Sequence, residues 1–268
     1  MSFIISLEKY LEEPGITGVN VPECITKILN EAIPKGVTSV VIPKSVTEIE
    51  SMAFSDAEDL LSITVDADNP NYCDIDGVLY SKDKTTLLCY PQGRQDTEFV
   101  IPDYVTKIGY GAFCGCGNLT SVVFPDHLTE IGIDAFFACG LTSIDLPTNL
   151  ELISTYAFSC CHALTSVDIP KGVTKILSRT FVGCKNLRSV RIPRSVTQID
   201  KQVFDGCNKL QWVEIPESVV DICDDAFENC KCLKIVTPHG SYAEEFAQTH
   251  NIKVSNLNFA EDIESMNA

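Results

Sequence analysis

Apolar side chains recur along this chain in a fixed order. One copy runs Leu164, Val167, Ile169 and Pro170, then Val173 and Ile176, then Phe181 and Cys184, after which Leu187, Val190, Ile192 and Pro193 begin again. The shared pattern is L-x-x-V-x-I-P, then V-T-x-I, then A-F-x-x-C. Its marker prolines are Pro102, Pro125, Pro147, Pro170, Pro193, Pro216 and Pro238, spaced 23, 22, 23, 23, 23 and 22 residues apart. Self-similarity at such a period is the signature of stacked repeats. Upstream the frame continues through Val37, Val40, Ile42 and Pro43 and through Ile16, Val19, Val21 and Pro22, and downstream through Leu233 and Val236.

Within a unit, V-x-I places two apolar residues on one face of an extended segment and turns the residue between them outward, which is a half-buried strand. The proline after it cannot donate to a ladder and ends the strand. V-T-x-I reads as a second short strand or extended turn, and A-F-x-x-C as a tight or 3₁₀ turn with Phe and Cys on one side. About seven apolar side chains at roughly 1.5 to 3 kcal/mol each do not offset about 1.5 kcal/mol of ordering for each of 23 residues. A lone unit therefore does not fold, and only stacking completes burial and pairs the strands. The predicted fold is an α/β-type repeat solenoid of about ten short parallel strands with turn or 3₁₀ segments.

The 59 residues from Pro43 to Pro102 hold one regular unit, with Leu60, Ile63 and Val65 at the strand positions, and one unit with about 13 extra residues. Asp76-Gly77 is a tight-turn signal between β-prone runs, Val78 to Tyr80 and Leu87 to Tyr90. They predict a hairpin flap, around residues 67–95, that projects from the solenoid. Ser241-Tyr242-Ala243-Glu244 fits a helix-capping box, and Tyr242, Ala243, Phe246 and Ala247 form an apolar helical face. The expected organisation is an N-terminal cap over residues 1–15, a short helix from Phe3 to Glu12, and a solenoid over 16–240. A capping helix (Ser241 to Thr249) and strand follow over 241–255, the strand carrying Ile252 and Val254, and a loose acidic tail fills 256–268.

The charge balance narrows the partners. Thirty-seven acidic against 20 basic residues give a net charge of −17, which argues against nucleic acid and against an anionic membrane surface. No apolar run approaches the roughly 18 residues of a membrane span. The N-terminus MSFIISLEKYLEE lacks the pattern of a secretory leader. The expected location is the cytoplasm, or the cell surface or exterior if a leader has been removed.

Runs such as LTSVDIPKGVTKI, the recurring A-F-x-x-C step, the segment DNPNYCDIDGVLYSKDKTTLLCYP and the closing GSYAEEFAQ resemble the BspA-like leucine-rich repeats. That is the 23-residue class found in bacterial surface proteins and some protozoan parasites. The resemblance covers roughly Ile16 to Val254. It implies a solenoid with adhesion-like or protein-recognition roles and no catalytic machinery. The asparagine ladder of other leucine-rich repeats is missing, so a regular horseshoe curvature does not follow.

Six cysteines, Cys116, Cys139, Cys161, Cys184, Cys207 and Cys230, share one repeat position. Zinc needs four ligands converging on a point, whereas equivalent positions in a stack form a line about 4.8 Å apart. They are expected as buried free thiols filling the core, with the off-register Cys114, Cys160, Cys223 and Cys232 exposed. His127, His162, His239 and His250 fall at non-equivalent positions, and no nucleophile-base spacing accompanies them. The glycines Gly109, Gly111, Gly115 and Gly117 match no nucleotide-binding pattern. No enzyme, cofactor or metal is expected.

The outward strand residues form two columns: Ser121, Ser143, Ser166, Ser189 and Trp212, and Val123, Asp145, Asp168, Arg191 and Glu214. Trp212, the sole tryptophan, is expected to point outward, where large aromatics are common binding hot spots. Arg188 and Arg191 lie one repeat away. The expected function is a monomeric protein-interaction or adhesion module binding a protein or other macromolecule at Trp212, Arg188, Arg191, Glu214 and Asp168. Tyr80 and Tyr90 of the insertion are further contacts. The alternatives are that Trp212 merely packs on the stem of Arg191, that the tyrosines pack the insertion onto the solenoid, and that the solenoid is a spacer within a larger bacterial protein.

Overall fold

The computed structural model describes Phe3–Ile4 and residues 17–256. Each unit makes one turn of a solenoid, and equivalent residues of successive units lie side by side. The L-x-x-V-x-I strands form one parallel ladder. Its longest stretch joins Ser166–Asp168, Ser189–Arg191, Trp212–Glu214, Lys234–Thr237 and Lys253–Asn256. Register is one repeat throughout, so Val167 faces Val190, Val213, Ile235 and Val254 in turn. The V-T-x-I segments make a second parallel ladder, for example Lys175–Ile176, Gln198–Ile199 and Asp221–Ile222. A third side closes on the A-F turn. The amide of Phe136 donates to Ala157 at 2.8 Å, that of Phe158 to Thr180 at 2.9 Å and that of Phe181 to Val203 at 3.0 Å. Within that turn, Cys184 bonds Phe181 and Leu187 bonds Cys184, as separate turns and not a continuous 3₁₀ helix.

The core is a set of columns. Phe113, Phe136, Phe158, Phe181, Phe204 and Phe227 stack with ring centroids 4.8 to 5.7 Å apart and planes within 10° of parallel. Tyr90 extends the stack at one end and Phe246 of the C-terminal helix meets it at the other. Threonine hydroxyls form further columns on both ladders: Thr120 donates to Thr97, Thr165 to Thr142 and Thr129 to Thr106, at 3.0 to 3.2 Å. They bind the carbonyl of the preceding unit, as do the side-chain amides of Asn118, Asn149 and Asn186.

The first ladder breaks in two places. Between Cys139 and Leu141 one residue stands where other units have two. The shortened chain brings Gly140 against Gly117, so that an added Cβ would lie 2.2 Å from the Gly117 carbonyl oxygen. Only glycine fits there, and Ser143 to Asp145 form no strand. The second break is the insertion. Tyr72–Ile75, Val78–Ser81 and Thr86–Cys89 make an antiparallel meander whose last strand pairs with Lys107–Ile108 in the second ladder. Asp76 and Gly77 both take positive φ, as the tight turn requires.

The insertion is not a projecting flap. Val78, Tyr80, Leu87 and Tyr90 pack into the C-terminal part of the core, and Leu79 and Cys89 into the N-terminal part. Both faces of the meander are apolar, so it wedges between two segments of solenoid that would otherwise lose their neighbours. Asn69 anchors its entry: fully buried, it donates to the carbonyls of Pro43 and Val46 and accepts from the amides of Asn71 and Tyr72.

At the C-terminus, Tyr242–Thr249 is the helix, with Ser241 as its cap accepting from the Glu244 amide. Glu244 does not bond the cap residue's own amide, as a capping box would. It reaches one residue further, to the Gly240 amide at 2.6 Å, and to Asn256 Nδ2 at 2.9 Å. Asn256 closes the final strand, so it is ordered and not part of a loose tail; residues 257–268 lie outside those described. At the N-terminus Phe3–Ile4 pairs as a strand beside Ile25–Ile28, where the sequence predicts a helix from Phe3 to Glu12; residues 5–16 lie outside those described.

Two outcomes follow for stability. Phe181→Ala opens a cavity inside an unbroken stack and is expected to cost about 3 to 5 kcal/mol, measured by urea unfolding; a loss under about 1 kcal/mol would show the stack is incidental. The Gly240 amide, then Asn256 and His239, hold the Glu244 carboxyl below its usual value of 4.5. A lowered folded value means the cap is fully stabilised above about pH 4.5 and loosens as pH falls below it. Amide exchange at Ala243 to Ala247 should accelerate in that range, and Glu244→Gln should remove the pH dependence.

Candidate interaction face

The first ladder presents alternate side chains outward, and the five-stranded stretch from Ser166 to Asn256 is its longest platform. One outward column runs Ser166, Ser189, Trp212, Lys234 and Lys253; the other runs Asp168, Arg191, Glu214, Val236 and Ser255. Trp212 sits on the outward side, half-buried. The Arg191 guanidinium lies 5.9 Å from its ring centroid, and Arg191 Nε lies 3.7 Å from Glu214 Oε2. The Arg191 side chain is 64% exposed and that of Glu214 20%. A cation over an aromatic face is attracted by the ring quadrupole, so Arg191 covers part of the indole while keeping donors free. Asp168, in register with Arg191, and Arg188 are both exposed.

The structure separates the expected contacts. Trp212, Arg191, Glu214 and Asp168 share one face, and exposed Arg188 immediately precedes the strand that carries Arg191. Tyr80 and Tyr90 are not on that face: they are 1% and 2% exposed. Tyr80 faces the core from the central insertion strand, and Tyr90 occupies the phenylalanine column against Phe113. Tyr104 is the aromatic that this region does expose, edge-on to Tyr80. Lys234 and Lys253 are additions to the site. The unit before Pro238 is one residue short, which shifts Lys234 into the Trp212 column, and Lys253 arrives only after the helix. The 22-residue spacing to Pro238 is the signal for the first of them. Nearer the N-terminus the same face exposes Val41, Val100 and Val123.

Chemistry elsewhere is sparse. A recess of about 730 Å³ beside the C-terminal helix is lined in part by Phe227, Cys230, Phe246 and His250. Cys230 Sγ donates to the Phe204 carbonyl at 3.1 Å, and burial pushes its thiol to about 12. His250 stacks on Phe246 and lies 3.4 Å from Asp224. Among the described residues no three His, Cys, Asp or Glu side chains are grouped to hold a metal.

The column cysteines are free thiols with a directed bond. Cys161, Cys184 and Cys207 donate to the carbonyls of Phe136, Phe158 and Phe181 at 3.1 to 3.2 Å. They are hydrogen-bonded donors as well as fillers, and burial raises all three well above the usual thiol value. Cys114, Cys160 and Cys223 are half-buried, not exposed; the Cys160 amide bonds Val182 of the next unit and that of Cys223 bonds Ile199 of the preceding one.

The sequence model of the BspA type leucine rich repeat region matches six copies over residues 5–74, 89–211 and 175–268. The chain belongs to this family. Among solved structures, this BspA-type chain is similar to a leucine-rich repeat protein of Eubacterium ventriosum, at 28% identity and a TM-score of 0.71, over 79% of this chain and 67% of that one. It is also similar to a leucine rich cell surface protein of Faecalibacterium prausnitzii, at 30% identity and a TM-score of 0.59, over 90% of this chain and 64% of that one. The pneumococcal vaccine antigen PcpA, 16% identical with a TM-score of 0.58 over 90% of this chain and 79% of that one, shares the fold. A search of curated proteins returns no match.

Thiol reactivity tests the column assignment. With the folded chain near pH 7, iodoacetamide should label Cys24 and Cys232, the two exposed cysteines, well before the repeat column. Mass spectrometry showing early labelling of Cys184 or Cys207 would contradict the bonded, buried arrangement.

Proposed function

We propose that this chain is a non-catalytic interaction module of adhesion type that engages a macromolecular partner through the first-ladder face around Trp212 and Arg191. The observation that carries this reading is the outward placement of the only tryptophan on the longest unbroken stretch of ladder. A rigid platform reduces the ordering cost of binding, and an aromatic beside an arginine is the usual composition of a hot spot. The family membership and the description of the Faecalibacterium relative as a cell surface protein support a recognition role. The two bacterial chains at 28% and 30% identity extend beyond the region matched, which favours a spacer as the second reading.

The test is a comparative capture from bacterial and host-cell extracts with wild-type chain and Trp212→Ala, followed by affinity measurement on the retained protein. Trp212→Ala is expected to weaken binding by about thirtyfold, as a hot-spot truncation does. A bound partner indifferent to the substitution would move the site elsewhere, and no specific partner at all would favour the spacer.

A further inference from the structure

We infer that the partner of this face is an acidic, extended polypeptide segment, recognised by Lys234 and Lys253 through its carboxylates and by Trp212 through a neighbouring apolar side chain. The inference rests on the reading of the strand face as a binding site. It starts from an irregularity in how charges are placed. Parallel one-repeat register makes every side chain face its equivalent in the next unit, and elsewhere the structure sets opposite charges together. Lys27 meets Glu48 at 2.7 Å, Lys107 meets Glu130 at 3.0 Å and Arg191 meets Glu214 at 3.7 Å. Lys234 and Lys253 break that habit. They are direct register partners, both exposed, and among the described residues neither has a carboxylate within ion-pair distance. Like charges directly opposite one another destabilise a sheet, and a chain with 37 acidic residues has no shortage of acids to separate them.

The two lysines continue the Trp212 column, and exposed Arg188 lies beside it, one unit back. The result is a compact cationic patch on a body of net charge −17. Its scale selects the ligand. Adjacent ladder positions are about 4.8 Å apart, so Trp212, Lys234 and Lys253 span about 10 Å, which an extended polypeptide covers in about three residue steps. An apolar residue over the indole followed closely by two carboxylates meets all three. A nucleic acid or a long sulfated glycan carries its charge well past this patch and onto the acidic surface around it, where it is repelled. A peptide places two or three charges and stops.

Fluorescence anisotropy with the full chain tests this directly. The probes are labelled decapeptides that carry one leucine or phenylalanine followed by three glutamates, the same peptides with glutamine for glutamate, a single-stranded DNA 20-mer and a heparin-derived octasaccharide. The glutamate peptides are expected to bind, to weaken as salt rises from 25 to 300 mM by order-of-magnitude screening, and to weaken at least about tenfold in Lys234→Glu and Lys253→Glu. Both lysines are exposed, and circular dichroism confirms that each variant is folded. Equal binding of the glutamine peptides, indifference to both reversals, or tighter binding of DNA or octasaccharide would overturn the inference. If Trp212→Ala abolishes binding of a captured partner while both lysine reversals leave it unchanged, the strand-face reading survives and the acidic-partner inference alone fails.

Discussion

Everything in this molecule depends on backbone hydrogen bonds that tie each unit to the next in one-repeat register on three sides. Because the register holds from one regular unit to the next, each side chain there packs against its own equivalent. That condition decides which residues are admissible at each position. Phenylalanine meets phenylalanine at 5.6 to 5.7 Å with nearly parallel planes, a contact that gains both area and ring-ring attraction. Threonine meets threonine and supplies a hydroxyl to the carbonyl before it. Cysteine meets cysteine with its thiol turned to a backbone oxygen. Charged residues are the exception, since repetition there brings repulsion, and they alternate in sign wherever the surface allows.

The same condition explains how the array absorbs irregularity. A deleted residue is tolerated at Gly140 because backbone can approach backbone when no Cβ intervenes, and the local cost is one missing strand. An insertion is tolerated because it supplies apolar residues to both severed halves of the core and returns to register through Thr86–Cys89 and Tyr90. Tyr90 keeps the ring column continuous, and its hydroxyl leaves the core to donate to Asp96 at 2.7 Å. The turns store some strain as well: Tyr156, Arg179 and Gln202, equivalent residues two before the column phenylalanines, all take left-handed φ. Each costs roughly 1 to 2 kcal/mol relative to a relaxed backbone, tolerable only where neighbours on both sides hold the turn.

Columns were legible in the sequence because period and alternation are geometric. Trp212, Arg191, Glu214 and Asp168 fall on one face by counting alone. Interactions that depend on where the backbone goes between columns were not. Nothing in LYSKDKTTLLCY says that both faces of the insertion are covered, since an apolar run reads the same in a flap and in a wedge; the burial of Tyr80 follows from the two half-cores it joins. The threonine hydroxyl bonds were hidden because threonine after valine also suits any exposed strand. Lys253 was missed for a different reason: it enters its column from beyond a helix, where the repeat no longer counts.

A surface made of repeated columns carries little information while the columns stay uniform. Ser166 and Ser189 side by side offer a partner nothing that another pair of serines would not. Recognition must come from where a column changes character, and on this face the change is concentrated: serine gives way to tryptophan and then to two lysines within three consecutive strands. Those strands belong to the longest continuous stretch of the first ladder, and the C-terminal helix closes the core beside them. The side chains change here although strand pairing continues unbroken across a unit one residue short and past the C-terminal helix. A solenoid can bind specifically under that arrangement, because new side chains are displayed without loosening the register that holds them.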